Sequence, residues 1–186
     1  KEVAEKIQAG ALEVCQTSTM NMSQSVPALN VLDFPYIFSS REEYGRILNE
    51  VLIDELREIA EPKGIRPLWF YFNSFRYFCA RGSLAANDPS VLKGLKIRTT
   101  PAAIEQEVFR MLGAAPTPIN FMDTFVALQQ GVVDALHAGS PPVYTSGIYE
   151  AVGTMTKINM MTDGGMHSCS AKWYNSLSAD QKAVID

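Results

Sequence analysis

The fold is decided by one stretch of the chain, which runs from Leu95 to Ala135 and reads LKIRTTPAAIEQEVFRMLGAAPTPINFMDTFVALQQGVVDA. Its apolar spacing changes period along the way. Leu95, Ile97 and Thr99 alternate with polar residues at the two-residue period of a strand, and a helical period follows. The whole stretch therefore reads strand, helix, strand, helix, strand.

Local signals place the ends of the first helix. Thr100 and Pro101 predict its start, and Gly113 offers a left-handed end. Its apolar positions recur at helical spacing, and they are Ile104, Val108, Met111 and Leu112.

The same signals continue through the second half of the stretch. A short strand is expected at 115–119, a helix from Asn120 to Gly131, and a third strand at Val132–Val133. Strands separated by helices of about a dozen residues pair in parallel through right-handed crossovers. The pattern therefore predicts an open α/β sheet.

Arg98 stands at the end of the first of these strands, just before a helix begins. Open α/β sheets bind ligands beyond the carboxyl ends of their strands, where a guanidinium and free backbone N–H groups can meet one anion. Taken alone, the spacing favours an ordinary surface arginine, because most arginines on polar strand faces are solvated.

Around Arg98 stands a longer ordered set of residues: LKGLKIR at 92–98, LGA at 112–114, Pro116, Pro118, FMD at 121–123 and ALQQGVVD at 127–134. This order and spacing resembles the signature of the solute-binding proteins of TRAP (tripartite ATP-independent periplasmic) transporters. A looser resemblance extends over nearly the entire chain.

The resemblance implies an α/β fold of the two-lobed periplasmic binding protein type, with open mixed sheets flanked by helices and a ligand cleft between the lobes. Residues 1–73 are expected to form the first part of lobe I, 74–163 lobe II, and 164–186 the return to lobe I. We expect a strand break at Asn73–Ser74 and a flexible joint at Gly164–Gly165.

The resemblance also implies a carboxylate site in which Arg98 pairs bidentately with the ligand, Arg76 adds a second charged contact and Phe121 covers the apolar part. Thr17 and Ser18, in a polar loop after an expected strand at 12–16, are candidate contacts from lobe I. Without the resemblance, Arg76 would be expected to pair with a protein carboxylate and Phe121 to be a core residue.

After Asp134 the chain departs from the family pattern with Ala135-Leu136-His137-Ala138-Gly139. The polar ligand contact that the family usually has at position 138 is missing, and His137 is placed among the ligand-binding residues. Some branches bind a cation with an acid near position 137, but imidazole is a poor ligand for sodium or calcium, so no metal is expected. We expect a simple monocarboxylate with an apolar or aromatic body.

Composition limits the remaining possibilities. A formal net charge of -4 and a pI near 5.2 argue against nucleic-acid binding. No apolar stretch is long enough to span a bilayer, so no direct membrane insertion is expected. Three cysteines without motif spacing indicate neither a disulfide framework nor a zinc site, although one cross-link is possible.

Elsewhere, Ser40 and Glu43 predict a capping box at the head of the longest helix. Residues 65–72 and 75–80 are expected to be strands, 81–90 a polar loop, and Ser178 with Gln181 a helix cap. The stripe of the longest helix is expected to consist of Tyr44, Ile47, Leu48, Val51, Leu52, Leu56 and Ile59.

Two other functions remain open, because fold does not fix function. An enzyme would need a nucleophile or base from Cys15, His137 or His167, yet no serine elbow, metal-spaced histidine pair or phosphate loop accompanies them. A ligand sensor, or a truncated homologue that no longer binds, is the third possibility.

Location and partners rest on the resemblance alone. It implies a periplasmic protein without a cofactor that delivers a small organic acid to TRAP membrane subunits. The family has a strand before Lys1 and helices after Asp186, so this chain expressed alone is expected to be poorly stable or to bind weakly.

Overall fold

A computed structural model describes residues 2–84 and 88–186. Six strands form one open mixed sheet in the order β1-β6-β2-β5-β3-β4, flanked by helices, which confirms the predicted α/β fold class. The strands are β1 Val14–Ser18, β2 Ile65–Ala80, β3 Lys96–Thr99, β4 Ala115–Pro118, β5 Ala135–Gly139 and β6 Thr154–Ser170.

The helices are short. The α-helices are α1 Glu2–Gln8, α2 Thr19–Met22, α3 Arg41–Arg46, α4 Ile53–Ala60, α5 Ala103–Met111, α6 Thr124–Gln129, α7 Ser140–Thr145, α8 Ala171–Ser176 and α9 Ala179–Ile185. Segments of 3-10 helix lie at Pro27–Asp33, Glu61–Lys63, Pro89–Leu92, Phe121–Asp123 and Ile148–Ala151, and a π-helix lies at Ile47–Val51.

Contacts between Cα atoms divide the chain into two compact units. The first consists of Lys1–Leu32, Phe38–Phe72 and Gly164–Asp186, and the second of Asp33–Ile37 and Asn73–Asp163. Strands β2 and β6 each contribute residues to both units. That the units act as ligand-closing lobes stays a prediction.

In the first unit, β1 pairs antiparallel with the last part of β6, with Val14 opposite Cys169 and Ser18 opposite Gly165. The predicted Ser178–Gln181 capping box is present at the start of α9. The core of this unit is apolar and includes Ile7, Met22, Leu29, Tyr44, Leu48, Leu56, Ile65, Phe70 and Met166.

The longest predicted helix is interrupted by the π-helix, and this changes which residues are buried. Tyr44, Leu48 and Leu56 are buried as expected, but Val51 and Ile59 are 53% and 42% exposed. A π turn adds a residue to the helical turn, so a stripe extrapolated at 3.6 residues per turn loses its register beyond it. The prediction for Val51 and Ile59 was therefore wrong.

In the second unit, β3 pairs in parallel with both β4 and β5, as the strand–helix alternation predicts. The end of β2 pairs antiparallel with β5, with Arg76 opposite Gly139. Gly113 and Gly131 adopt the expected left-handed conformation, with φ of 81° and 70°. The polar loop predicted at 81–90 is described only at its two ends, because 85–87 lie outside the described residues.

Three strand predictions need correction. The strand placed at Val132–Val133 lies at Ala135–Gly139, because Gly131 turns the chain and β5 pairs only from Ala135 onward. Asn73–Ser74 does not break β2, which is continuous. Thr17 and Ser18 belong to β1 itself and not to a loop after it.

Gly164 and Gly165 lie inside β6, where the chain passes from the second unit to the first, and their role as a flexible joint stays a prediction. A Cβ at Gly164 would collide with the Tyr44 hydroxyl, and one at Gly165 with the Tyr71 hydroxyl. These glycines therefore allow aromatic side chains to pack close against the backbone.

Candidate ligand-binding site

Arg98 lies on β3, a strand paired on both edges, with Thr117 and Leu136 as its neighbours on β4 and β5. Only 3% of the residue is exposed, so the expectation of a solvated strand face was wrong. Both faces of an interior parallel strand are usually covered, which overrides the polar and apolar alternation of this segment.

The Arg98 guanidinium is only partly satisfied by the protein. Its Nε donates to the backbone oxygen of Ile119 at 2.9 Å, and its Cζ lies 5.4 Å from the centre of the Phe121 ring. Within residues 2–84 and 88–186, its two Nη groups have no hydrogen-bond or ion-pair partner. Four N–H donors of a buried cation are thus available.

Burial lowers the pKa of Arg98 to about 10, because the charged form is poorly solvated there. The negative charges of Glu105 and Asp163 counteract this effect, while Arg76 adds to it. Arg98 remains protonated at neutral pH, and an anion placed against it would relieve the cost of burial.

Arg76, on β2, is also 3% exposed but is held on every side. Its Nε donates to the Thr162 backbone oxygen at 3.2 Å, and its Nη1 donates to the His137 backbone oxygen at 3.1 Å. Its Nη2 lies 3.0 Å from Asp163 Oδ1 and its Nη1 lies 3.5 Å from Glu105 Oε1. Although burial alone would lower the pKa of Arg76, the charges of these two carboxylates raise it.

Glu105 is the centre of this buried network, and sequence reasoning missed it. Its Oε2 accepts hydrogen bonds from the Thr100 backbone N–H at 2.6 Å and from the Thr100 hydroxyl at 2.7 Å. Its Oε1 lies 3.1 Å from His137 Nδ1. Burial would raise the pKa of Glu105, but the His137 hydrogen bond and the Arg76 charge hold it at about 2.

Apolar periodicity predicted the wrong buried face for α5, and Glu105 was missed for this reason. The buried residues of this helix are Glu105 and Phe109, whereas Met111 is 80% exposed. Glu105 and Phe109 are four residues apart and share a face. An acid on that face gives no apolar signal, so periodicity favoured the neighbouring stripe. Thr100 does not cap α5 either, because the cap residue is Ala102 and the Thr100 side chain binds Glu105.

His137 is fully buried on β5, between the rings of Phe78 and Phe109, each 5.2 Å away. Burial lowers its pKa, and the adjacent Glu105 only partly offsets this, so His137 is neutral at pH 7 and donates from Nδ1. Its Nε2 is enclosed without a partner among the described residues. A direct contact between His137 and a ligand stays a prediction.

The other predicted site residues divide between the two units. Phe121 begins the 3-10 turn Phe121–Asp123 of the second unit and is half-buried against its apolar core. Thr17 and Ser18 are half-buried in the first unit, where the Ser18 hydroxyl accepts the Asn21 backbone N–H at 3.2 Å as the cap of α2. The structure therefore brings together Arg76, Arg98, Phe121 and His137.

The second unit also contains a separate cavity of about 280 Å³, away from the arginines. Its lining is mostly apolar and includes Tyr36, Phe78, Leu84, Leu92, Leu112 and Met160. Phe78 lies between this cavity and His137. Sequence reasoning did not anticipate this cavity.

The described residues contain no group of three or more His, Cys, Asp or Glu side chains arranged to hold a metal ion. Cys15, Cys79 and Cys169 are free thiols, and burial raises the pKa of Cys79 to about 12. Among residues 2–84 and 88–186, no helix is both long and apolar enough to cross a membrane.

The whole chain, residues 1–186, matches the family of bacterial extracellular solute-binding proteins, family 7. The chain belongs to this family, and the resemblance to TRAP solute-binding proteins seen in the sequence is confirmed.

Similar proteins support the same assignment. The chain is 27% identical over 187 residues to the C4-dicarboxylate-binding periplasmic protein DctP of Rhodobacter capsulatus, covering 100% of this chain and 56% of that protein. It is 26% identical over 144 residues to the 2,3-diketo-L-gulonate-binding periplasmic protein YiaO of Escherichia coli K12, covering 77% and 44% respectively.

Among solved structures, a TRAP periplasmic solute-binding protein from Roseobacter denitrificans with bound β-D-glucuronate matches with a TM-score of 0.93 at 27% identity. The match covers 99% of this chain and 61% of that one. The chain therefore spans between 44% and 61% of the length of these proteins.

Proposed function

We propose that this chain is the ligand-capturing part of a periplasmic TRAP solute-binding protein, which binds a small organic acid and delivers it to membrane subunits. The carboxylate of the ligand pairs bidentately with the two Nη groups of Arg98. The observation that carries the proposal is the environment of Arg98: within residues 2–84 and 88–186, this buried guanidinium makes one hydrogen bond and has four donors left over.

A carboxylate matches those donors in geometry and in charge. Two parallel N–H to oxygen bonds orient a planar carboxylate against a planar guanidinium, and the pair neutralises a charge that burial disfavours. Phe121 lies over the same guanidinium and offers an apolar surface next to it, so an acid with a carbon body contacts both groups.

The named relatives point to the same ligand class. The Rhodobacter capsulatus relative is named for C4-dicarboxylates and the Escherichia coli relative for 2,3-diketo-L-gulonate, and the Roseobacter denitrificans structure contains β-D-glucuronate. All of these ligands are organic acids. These relatives are solute-binding proteins and not enzymes. In this chain His137 is hydrogen-bonded to Glu105, and Cys15 contacts Ser168.

A thermal-shift screen tests the proposal, because a ligand that binds only the folded state raises the melting temperature. The panel consists of sugar acids, short aliphatic acids and aromatic acids, each matched with its primary amide or alcohol. We expect at least one acid to raise the melting temperature while its uncharged analogue does not. Equal shifts for the charged and uncharged members, or no shift with any acid, would contradict the proposal.

A further inference from the structure

We infer that Arg76 is a positioning residue neutralised by the protein itself, and that the site therefore selects acids with one carboxylate over acids of the same skeleton with two. This inference rests on the proposed function and specifies its substrate class. It departs from the sequence-based expectation that Arg76 adds a second charged contact to the ligand.

Arg76 has too few free N–H donors for bidentate recognition of a ligand carboxylate. A guanidinium has five N–H groups. In Arg76, one on Nε faces Thr162, two on Nη1 face His137 and Glu105, and one on Nη2 faces Asp163. A single N–H is left over, and bidentate recognition of a carboxylate needs two on the same side of the fork.

The positive charge of Arg76 is already neutralised by carboxylates of the protein. Two buried carboxylates, Glu105 and Asp163, lie against the single charge of Arg76, and Asp33 of the same unit also contributes to its field. The pKa of Glu105, about 2, means that this carboxylate is ionised at neutral pH. Arg76 therefore has no surplus positive charge for a ligand.

The described residues of the second unit also offer no further buried cation for a second ligand carboxylate. In the described residues of the second unit, the lysines and the other arginines are exposed, which leaves Arg76 and Arg98 as the buried cations. Arg98 satisfies one carboxylate. A second carboxylate held near Glu105 and Asp163 would be desolvated beside two negative charges with no further buried cation of the second unit to pair with, which is strongly unfavourable.

The test compares acids that share a carbon skeleton and differ in one carboxylate, using calorimetry on the wild-type protein. The pairs are butyrate with succinate, hexanoate with adipate, and D-gluconate with D-glucarate, which cover apolar and hydroxylated skeletons. In the pairs that bind, we expect the monoacid to bind at least about tenfold more tightly than the diacid.

A variant tests whether the selectivity comes from the neutralisation of Arg76. Asp163→Asn removes one of its two carboxylate charges while keeping the shape, and we expect the preference for the monoacid to fall by about tenfold. The matched control is Glu107→Gln, which removes the same charge from an exposed position on α5, where Glu107 pairs with Arg110. It should leave the preference unchanged.

The outcomes separate the two proposals. A diacid that binds as tightly as its monoacid overturns the selectivity and leaves acid binding intact. A preference that Asp163→Asn does not change overturns the role of Arg76, since a merely structural defect lowers both affinities together. If Asp163→Asn does not fold, the wild-type ratio alone decides. Failure of all six acids to bind contradicts the proposed function and this inference with it.

Discussion

At the scale of single residues, two arginines of equal burial have opposite environments. Arg76 and Arg98 are each 3% exposed, yet Arg76 has two carboxylates against it and Arg98 has none within hydrogen-bonding distance among the described residues. The pKa values follow this difference, since that of Arg76 is raised and that of Arg98 is lowered to about 10. A buried charge without an ion-pair partner indicates a candidate functional site.

The ionised Glu105 makes the stability of the protein depend on pH. Its pKa falls from 4.5 to about 2 in the folded state. A carboxylate with a lowered pKa stabilises the fold above the higher value, and this contribution is lost as the pH falls from 4.5 towards 2. One pKa unit is about 1.4 kcal/mol, so the contribution is up to about 3 kcal/mol.

We therefore expect Glu105→Gln to reduce the free energy of unfolding by about 2–3 kcal/mol at neutral pH and by clearly less at about pH 3. Urea unfolding at both pH values measures this. Glu107→Gln, the exposed control, should change the free energy of unfolding by less than about 0.5 kcal/mol at either pH. A Glu105→Gln cost that does not depend on pH would contradict the assignment of an ionised Glu105.

The signature residues identified Arg98, but nothing local in the sequence predicts how it is paired. Glu105 and Asp163 are distant from Arg76 in the chain, and only the pairing of strands and the docking of α5 bring them together. An acid on a buried helix face is the opposite of the apolar pattern on which periodicity depends. The pairing of Arg76 with protein carboxylates was nevertheless the expectation from its residue type alone.

At the scale of elements, strand and helix types were predictable and their ends were less so. The alternation from β3 to β5 was visible because local apolar periods do not depend on distant partners. The start of β5 was misplaced by three residues, from Val132 to Ala135, because pairing with β2 and β3 defines it. The single strand β2 was read as two, because Asn73–Ser74 resembles a break, and Gly164–Gly165 inside β6 were read as a joint.

The close packing of Tyr44 against Gly164 predicts that Gly164→Ala destabilises the fold. In Gly164→Ala the added Cβ would meet the buried Tyr44 hydroxyl and lie 2.7 Å from its Cζ. We expect a loss of about 2 kcal/mol in the free energy of unfolding, the usual cost of overpacking. Urea unfolding measures the change.

The control is Gly45→Ala in helix α3, where no atom lies within 4 Å of the new Cβ. Alanine should stabilise that helix by about 0.5–1 kcal/mol. If Gly164→Ala is as well tolerated as Gly45→Ala, Gly164 is not required for packing. The prediction of a flexible joint at Gly164–Gly165 would then be favoured.

At the scale of the whole molecule, the family assignment came from an ordered signature between Leu92 and Asp134, and the match over residues 1–186 confirms it. The class of protein was thus readable from the sequence. The ligand was not, because in our proposal it depends on buried polar groups whose partners are set by the tertiary fold. The relatives compared here differ among themselves in the acids they are named for.

In the ligand-free protein, the arginine that we propose binds the ligand also lowers the stability of the fold. Arg98 is buried and has no carboxylate partner in the part of the chain that the structure describes, and a pKa of about 10 against an ordinary 12.5 corresponds to a cost of up to about 3 kcal/mol. Arg98→Met removes the buried charge and keeps most of the volume, while losing the hydrogen bond to Ile119. Binding sites often retain such destabilising groups.

Whether Arg98 binds the carboxylate is decided by calorimetry of an acid found by the thermal-shift screen, on wild type and Arg98→Met. We expect Arg98→Met to lose binding by at least about a hundredfold, while its ligand-free form gains about 1–2 kcal/mol in the free energy of unfolding. Arg110→Met, at an exposed position on α5, should bind as wild type does. Unchanged affinity in a folded Arg98→Met protein would contradict the claim that Arg98 binds the carboxylate.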